Sequence, residues 1–542
     1  MENNYKDERT SGNSHIKNFF TIAISFLVGM TVALYFVPGR RNQGLSSSQS
    51  NKLDEVVKYI NSYYVDTVNT DQLFETAINS MLQELDPHST YANAVDNKAM
   101  MESLEGAFEG VGIQFSIMND TIMVISTVSG GPSEKQGIRA GDRIVTVDGK
   151  NVAGIGIQNE EVMKMLRGKK KTTVVIGILR QGSVNDYTVT RDVIPTYTLD
   201  ISYMVDDHTG YIKINQFGAT TADEFEAAIK KLKKQGMTKM ILDLRSNSGG
   251  FLDAAIRICD EFLAKGEMIV YTEGLRVPTD KIYATRYGNF EQGEVIVLID
   301  DFSASASEIV AGAIQDNDRG IVVGRRSFGK GLVQRQIDLS DKSSIRLTVA
   351  RYHTPSGRCI QREYGKGTEA YYEDFIDRYY RGEMSHSDSI KFDENQKFTT
   401  KKGRTVYGGG GIMPDYFIPL DDDSTLNAYY QVLNSSAIIQ FAFNYATDNK
   451  ERVLKQYPTA ASYVKGMTVN NDLLKQLLNF YTQKTGLKVK DLNNESIKEL
   501  KVWLKALIGR DIYQDEAFYP VINSSDKTFL KAVELTKGDL NH

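Results

Sequence analysis

Apolar residues recur at helical spacing between positions 52 and 85: Leu53, Val56, Val57 and Ile60, then Leu73, Ala77, Ile78, Met81 and Leu82. Asp86-Pro87 stops that periodicity, because the residue before a proline is driven out of the helical region. Two such helices bury little alone, so they are expected to pack on something downstream. Between 109 and 180 the pattern changes to short β-rich runs (GVGIQFSI, TIMVISTV, DRIVTVDG, TTVVIGILR) separated by turn residues, with one helix at about 159–166. After Pro195, strand and helix patterns alternate. TGYIKINQF, MILDLRSNSGG, EVIVLID, GIVVGRRSFGKGLVQRQIDL and SSIRLTVARYHTPSG read as strands, and TADEFEAAIKKLKK and FLDAAIRICDEFLA as helices. Repeated β-α-β units with apolar strands predict an α/β core. TADE at Thr221 has the T-x-x-E form of a capping box. From about Gly365 the pattern weakens into charged, tyrosine-rich sequence and a glycine run, in which Asp415 reads as a turn residue. From Ser424 onward helical periodicity dominates.

Composition adds three constraints. A chain of 542 residues is too long for one core. A net charge of −5, spread without a basic block, argues against nucleic acid as a partner. Six histidines with no HExxH or HxH spacing make a metal site improbable, and Cys259 and Cys359 form no CxxC pair. They read as buried thiols or as one long-range bridge. Residues 19–37, FFTIAISFLVGMTVALYFV, carry no charge and have the length of a bilayer-spanning helix. With no A-x-A site and no lipobox cysteine behind it, the segment is expected to be an uncleaved single-pass anchor in a bacterial inner membrane. The catalytic part would then lie in the periplasm, or be released there if the segment is cleaved. The expected organisation is a cytoplasmic tail at 1–18, the anchor or signal at 19–37 and a polar linker at 38–51. A helical region at 52–103, a β-rich domain at 104–190, an α/β core at 191–421 with an insertion at 365–402, and a helical domain at 422–542 follow.

Candidate chemistry concentrates in DDFSASASEIVAGAIQD, from Asp300. Ser305-Ala306-Ser307-Glu308 precedes an apolar run, so it reads equally as a capping box, with Ser303 and Ser307 as small packing residues. Yet these serines follow a buried strand and open a helix, which places them at the carboxyl end of a sheet. A helix N-terminus offers free N–H groups and a positive dipole end to a developing oxyanion. Gly249 and Gly250, in the turn SNSGGF, are positioned to add amides. A serine nucleophile needs a proton acceptor. His353, His88 and His208 read as structural. Lys330, between glycines, is the stronger candidate, because burial lowers a lysine's pKa and a neutral amine is a base. Gln334 shares a strand face with position 330 by alternation and is placed to orient the amine.

PSEKQGIRAGDRIVTVDGKNV, from Pro132, resembles the PDZ family, which binds peptide C-termini by strand addition. That resemblance puts carboxylate recognition at Gly110, Val111, Gly112 and Ile113. DDFSASASEI followed by FGKGLVQ resembles the C-terminal processing serine peptidases, or tail-specific proteases. LDPHSTY at Leu85, DLRSNSGG at Asp243, TPSGR at Thr354 and GGGGIMPD at Gly408 belong to the same resemblance, which spans about 52–420. It implies a crotonase-like (ClpP/crotonase-type) α/β core with an inserted PDZ domain, Ser305 as nucleophile, Lys330 as base and Gln334 as its orienter. It also implies oxyanion amides at Ala306 and at Gly249 or Gly250, and an arginine, Arg167, able to reach Gln334 as a gate. The implied partners are proteins with free C-termini, an adaptor protein and further copies of the chain, with no cofactor. Two departures stand out: His353, where an aromatic residue is expected, and a C-terminal region with no matching pattern. A silent PDZ scaffold and a crotonase-type acyl enzyme are the rival readings.

Overall fold

A computed structural model describes residues 47–420, 427–489 and 492–538. The chain divides into two compact units, residues 1–77 and 78–542. The first unit is described from the helix Ser47–Tyr63 onward; Leu53 and Val56 on it are about half exposed, at 48% and 54%, so the apolar stripe read as a packing face is left open. Among the described residues no helix is long and apolar enough to cross a membrane. The anchor expected at 19–37 lies outside the described residues. The expectation of a single-pass inner-membrane protein with a periplasmic catalytic part is corrected accordingly.

The second unit is organised by a six-stranded sheet in the order Leu199–Met204, Thr209–Ile214, Lys239–Asp243, Glu294–Ile299, Ile321–Gly324, Tyr416–Phe417. The first pair is antiparallel and the rest are parallel. Side chains alternate across a strand, so Leu242, Val297 and Ile299 face one way, and Ile241, Ile296 and Leu298 the other. The first set packs on the helices Thr221–Lys234, Leu252–Cys259 and Ala306–Asp316 through Phe225, Ile258 and Ile314. The second set is covered by Phe529 and Ala532 of the C-terminal helix Lys527–Thr536. Burial on both faces is why these strands read as unbroken apolar runs.

A five-stranded antiparallel sheet adjoins this layer. In it Ser344–His353 pairs with Thr90–Ala92, Met268–Glu273 and Leu332–Asp338, so the chain just after the DPHS stretch and the strand that carries Gln334 flank the same strand from its two sides. A third sheet, Ile113–Met118, Thr121–Thr127, Arg143–Val147, Thr173–Arg180, Ser183–Thr190, forms a separate β domain with the helix Asn159–Leu166. Its entry and exit strands, Ala107–Gly110 and Asp192–Pro195, pair with each other, as expected of an inserted module. Helices from Asn427–Leu433 to Asp515–Asn523 enclose their own core around Ile438, Leu477, Leu500 and Leu504.

Two local expectations change and one open alternative closes. Glu224 does not close a capping box. The helix Thr221–Lys234 has no side-chain cap bond, and the carboxylate instead accepts the N–H groups of Thr198 and Leu199, both at 3.0 Å, fixing the first core strand. Asp415 is more than a turn residue: it accepts Val322 N–H at 2.8 Å and pairs with Arg404 at 2.6 Å, holding the sheet edge. Both cysteines are free, Cys259 buried and Cys359 half-buried.

Candidate active site

The buried strand Glu294–Ile299 delivers three serines to the edge of the core, and the structure separates their roles. Ser303 is fully buried; its hydroxyl donates to Leu244 O at 2.9 Å and accepts Asp300 N–H at 2.9 Å. Ser307, also buried, donates to Asn247 O at 2.8 Å. These two stitch the serine turn to the glycine turn. Ser305 is half-exposed, heads a capping box with Glu308, whose carboxylate accepts its N–H, and sits at φ +56°, ψ −113°. A non-glycine residue in so sparsely populated a region stores on the order of 1–3 kcal/mol, held in place by its surroundings, and such outliers cluster at functional sites.

Three amides of the two turns, those of Gly249, Gly250 and Ala306, differ in their partners. Gly249 N–H is occupied, donating to Asn247 Oδ1 at 2.9 Å. Gly250 N–H and Ala306 N–H have no protein acceptor among the described residues. The turns are in contact: a Cβ on Gly249, at φ +103°, would lie 2.8 Å from Ser305 Cβ and 3.0 Å from Ala306 N. Gly250, at φ +146°, would drive a Cβ to 2.1 Å from Phe217 O. Of the two glycines left open by the sequence, Gly250 has the available amide.

Lys330 and Gln334 come together, but not by simple alternation. The strand begins only at Leu332, and its register shifts between Val333 and Gln334, so Lys330 reaches Gln334 across a bulge. Lys330 Nζ donates to Gln334 Oε1 at 2.9 Å. Gln334 Nε2 donates to the carbonyl oxygen of His88. That second bond decides which way the amide points, leaving its oxygen for the lysine. Burial and then the positive charge of Arg346 lower the Lys330 pKa from 10.5 to about 8, against the pull of Glu308 and Asp86. The His88 ring, 3.0 Å from the Tyr371 hydroxyl, is lowered to about 4 by burial and by Lys330, so it is neutral at pH 7 and adds no charge. His353 stacks on Tyr271 with ring centroids 4.6 Å apart and 5° between planes, which is how it fills an aromatic position.

Glu308 ties Ser305 to Lys330. Its buried carboxylate accepts Ser305 N–H at 2.9 Å, Gly329 N–H at 2.8 Å, Lys330 N–H at 2.9 Å and the Ser327 hydroxyl at 2.5 Å. Burial raises its pKa and these four donors oppose the rise. The Tyr352 hydroxyl adds a second link, 2.7 Å from Lys330 O and 3.2 Å from Ser305 O. Ser305, Ala306, Gly250, Lys330 and Gln334 line one cleft of about 770 Å³, with apolar walls from Met100, Leu104, Phe251, Ile309 and Leu332. The sequence reading missed the His88 carbonyl, Tyr352 and the four-way role of Glu308. The first two belong to recognised strings, DPHSTY and ARYHTPSG, whose side-chain chemistry gives no hint of a backbone role or of proximity.

In the β domain, Ile113–Met118 is a sheet edge. Val111 N–H and Gly112 N–H, the latter at φ +72°, have no protein acceptor among the described residues. Val162 and Leu166 of the adjacent helix belong to the same apolar core as Val111, with Ile113 and Phe115 packed against it. Arg167 ends that helix. The structure does not bring it to Gln334; its guanidinium pairs with Glu102 at 3.0 Å and lies 4.8 Å over the Phe108 ring.

The sequence matches Peptidase family S41 over residues 208–370 and a PDZ domain over 110–190. It also matches the Activating protease CtpB N-terminal domain over 37–97 and a family of unknown function over 428–514. A carboxy-terminal-processing protease of Bartonella bacilliformis is 34% identical over 426 residues, covering 77% of this chain and 95% of that protein. The carboxy-terminal processing protease CtpA of Bacillus subtilis is 34% identical over 355 residues, covering 64% and 75%. A probable CtpA-like serine protease of Staphylococcus aureus is 33% identical, covering 67% and 74%.

Proposed function

This chain belongs to peptidase family S41, the carboxy-terminal processing serine proteases with a PDZ domain, and from that premise we propose that it captures proteins by their C-terminal tails and cleaves them with Ser305 and Lys330. The observation that carries the reading is the state of Lys330: half-buried, lowered to about 8, bonded to a neutral amide and sharing a cleft with a strained serine. In this mechanism the neutral Lys330 amine takes the Ser305 proton as the hydroxyl attacks the scissile carbonyl. The oxyanion forms against the N–H groups of Gly250 and Ala306, at the positive end of the buried helix Ala306–Asp316. Lys330 then returns the proton to the leaving amine and activates the water that hydrolyses the acyl-enzyme. Gln334 orients the amine without a negative charge that would keep it protonated.

The base assignment predicts the pH profile. Only the deprotonated amine accepts a proton, so kcat/KM of the free enzyme rises with pH and reaches half its plateau near the pKa of about 8. Lys330→Arg, charged at every working pH, stays inactive. An active Lys330→Arg enzyme, or a profile flat from pH 6 to 10, removes Lys330 as base.

Tail capture is tested separately. Among the described residues the amides of Val111 and Gly112 are donors without acceptors, suited to a terminal carboxylate, while the tail adds a strand to Ile113–Met118. Amidating the terminus replaces an acceptor with a donor facing donors. Extending it by a charged residue displaces the last apolar side chain. One protein bearing a free, an amidated or an extended apolar tail is expected to be cleaved at least about 10-fold faster with the free tail. Equal rates on all three would place recognition elsewhere, whatever Ser305 does.

A further inference from the structure

In the antiparallel pair Leu332–Asp338 and Ser344–His353, Gln334 faces Thr348 and Gln336 faces Arg346. Directly opposed residues share a face, so Arg346 emerges on the face that carries Gln334, and both line the cleft of Ser305 and Lys330. Arg346 is half-buried, and burial lowers its pKa. Among the described residues it makes no ion pair and no side-chain hydrogen bond. The groups around it are otherwise engaged. Gln336 donates to Asn97 and Asp338, and Asp86 accepts from Ser89, His88 N–H and Thr348. Arginines of similar or greater burial elsewhere in the core have partners: Arg245 pairs with Asp243 and Asp526, Arg358 with Asp316 and Arg378 with Glu383, while Arg319 donates to the carbonyl oxygens of Phe262, Phe290 and Gly293. A partly desolvated guanidinium without a counter-charge is unfavourable unless something else supplies one. Its planar fork matches a carboxylate, and a peptide chain is what this cleft is proposed to hold.

We propose that Arg346 is a specificity-determining residue that receives a carboxylate of the substrate in the cleft beside Ser305 and Lys330. This rests on the proteolytic reading above. The carboxylate comes from an acidic side chain flanking the scissile bond or from the chain terminus itself.

The full-length enzyme is given a protein substrate with one constant apolar tail and Glu, Gln or Lys placed in turn at each position around the mapped scissile bond. A second arm shortens the segment beyond the bond step by step, each length with a free or an amidated terminus. In the wild-type enzyme one position is expected to favour Glu over Gln by about 10-fold or more in kcat/KM. That ratio collapses towards one in Arg346→Gln, and in Arg346→Glu the preference turns to Lys. If the terminus is the source, the pattern appears only in the second arm, as a free-acid over amide ratio larger than that of Arg346→Gln, which keeps only the part due to capture at Val111 and Gly112. A flat Glu over Gln scan, together with a free-acid ratio that does not rise as the segment shortens towards the cleft, overturns the proposal on the wild-type enzyme alone, so a misfolded variant does not protect it. A Glu preference that survives Arg346→Gln, or a free-acid ratio unchanged by it, overturns it too. Cleavage persisting in Ser305→Ala would instead strike at the proteolytic reading itself.

Discussion

Ser305→Ala and Lys330→Ala are each expected to reduce cleavage of a tailed protein substrate by at least about 10⁴-fold, with the double variant no slower than either single. In the proposed mechanism the two groups perform one proton transfer, so removing either removes the whole step. Ser303→Ala and Ser307→Ala act differently. Each deletes a buried hydroxyl bonded to a backbone carbonyl, with an expected loss of about 1 kcal/mol in stability and most of the activity kept. A dead Ser303→Ala beside an active Ser305→Ala would reverse the assignment. Thermal unfolding gives an independent readout on the lysine. Its folded-state pKa of about 8 lies below the ordinary 10.5, so folding expels a proton between those values and stability rises with pH across that window. Lys330→Met is therefore expected to be inactive yet more stable at pH 7, by on the order of 3 kcal/mol at most. The advantage shrinks between pH 8 and 10.5. A destabilised Lys330→Met would mean that the lysine is not held against its charge.

Glu308→Ala is expected to cause the largest loss of stability of any single change at the site, more than about 4 kcal/mol, together with loss of activity. It strands four donors at once: the N–H groups of Ser305, Gly329 and Lys330 and the Ser327 hydroxyl. Each unsatisfied buried donor costs about 1–3 kcal/mol. Glu308→Gln keeps one acceptor oxygen but turns an NH₂ towards one pair of these donors, so it is expected to be intermediate in stability and strongly impaired in turnover. The contrast tests whether Glu308 merely starts a helix. An exposed cap residue loses only about 1 kcal/mol on truncation to alanine. A Glu308→Ala protein within that range, with a normal pH profile, would reduce the residue to a cap.

The architecture was legible where burial imposes a period. The helix at 159–166 and the runs EVIVLID and MILDLRSNSGG appear where their apolar patterns put them. Motif chemistry was legible too, because DDFSASASEI and SFGKGLVQ are contiguous strings whose residue types bear directly on the reaction. Three serines in alternate positions, however, are chemically alike in sequence. Only the fold buries the hydroxyls of Ser303 and Ser307 against neighbouring carbonyls and leaves Ser305 half-exposed in a strained turn. Gly249 and Gly250 are likewise equivalent as letters; the Asn247 side chain claims one amide and leaves the other free. The orientation of Gln334 depends on a carbonyl 246 residues away in sequence, and the face of Arg346 on a register set by strand pairing. Local sequence thus determined which segments form strands, helices and turns, and which residue types stand at the reacting end of the sheet, because those follow from periodicity and near-neighbour sterics. Which amide is free, which hydroxyl is exposed, and which lysine has its pKa lowered were decided by tertiary structure alone, because hydrogen-bond partners and desolvation come from atoms distant in the chain.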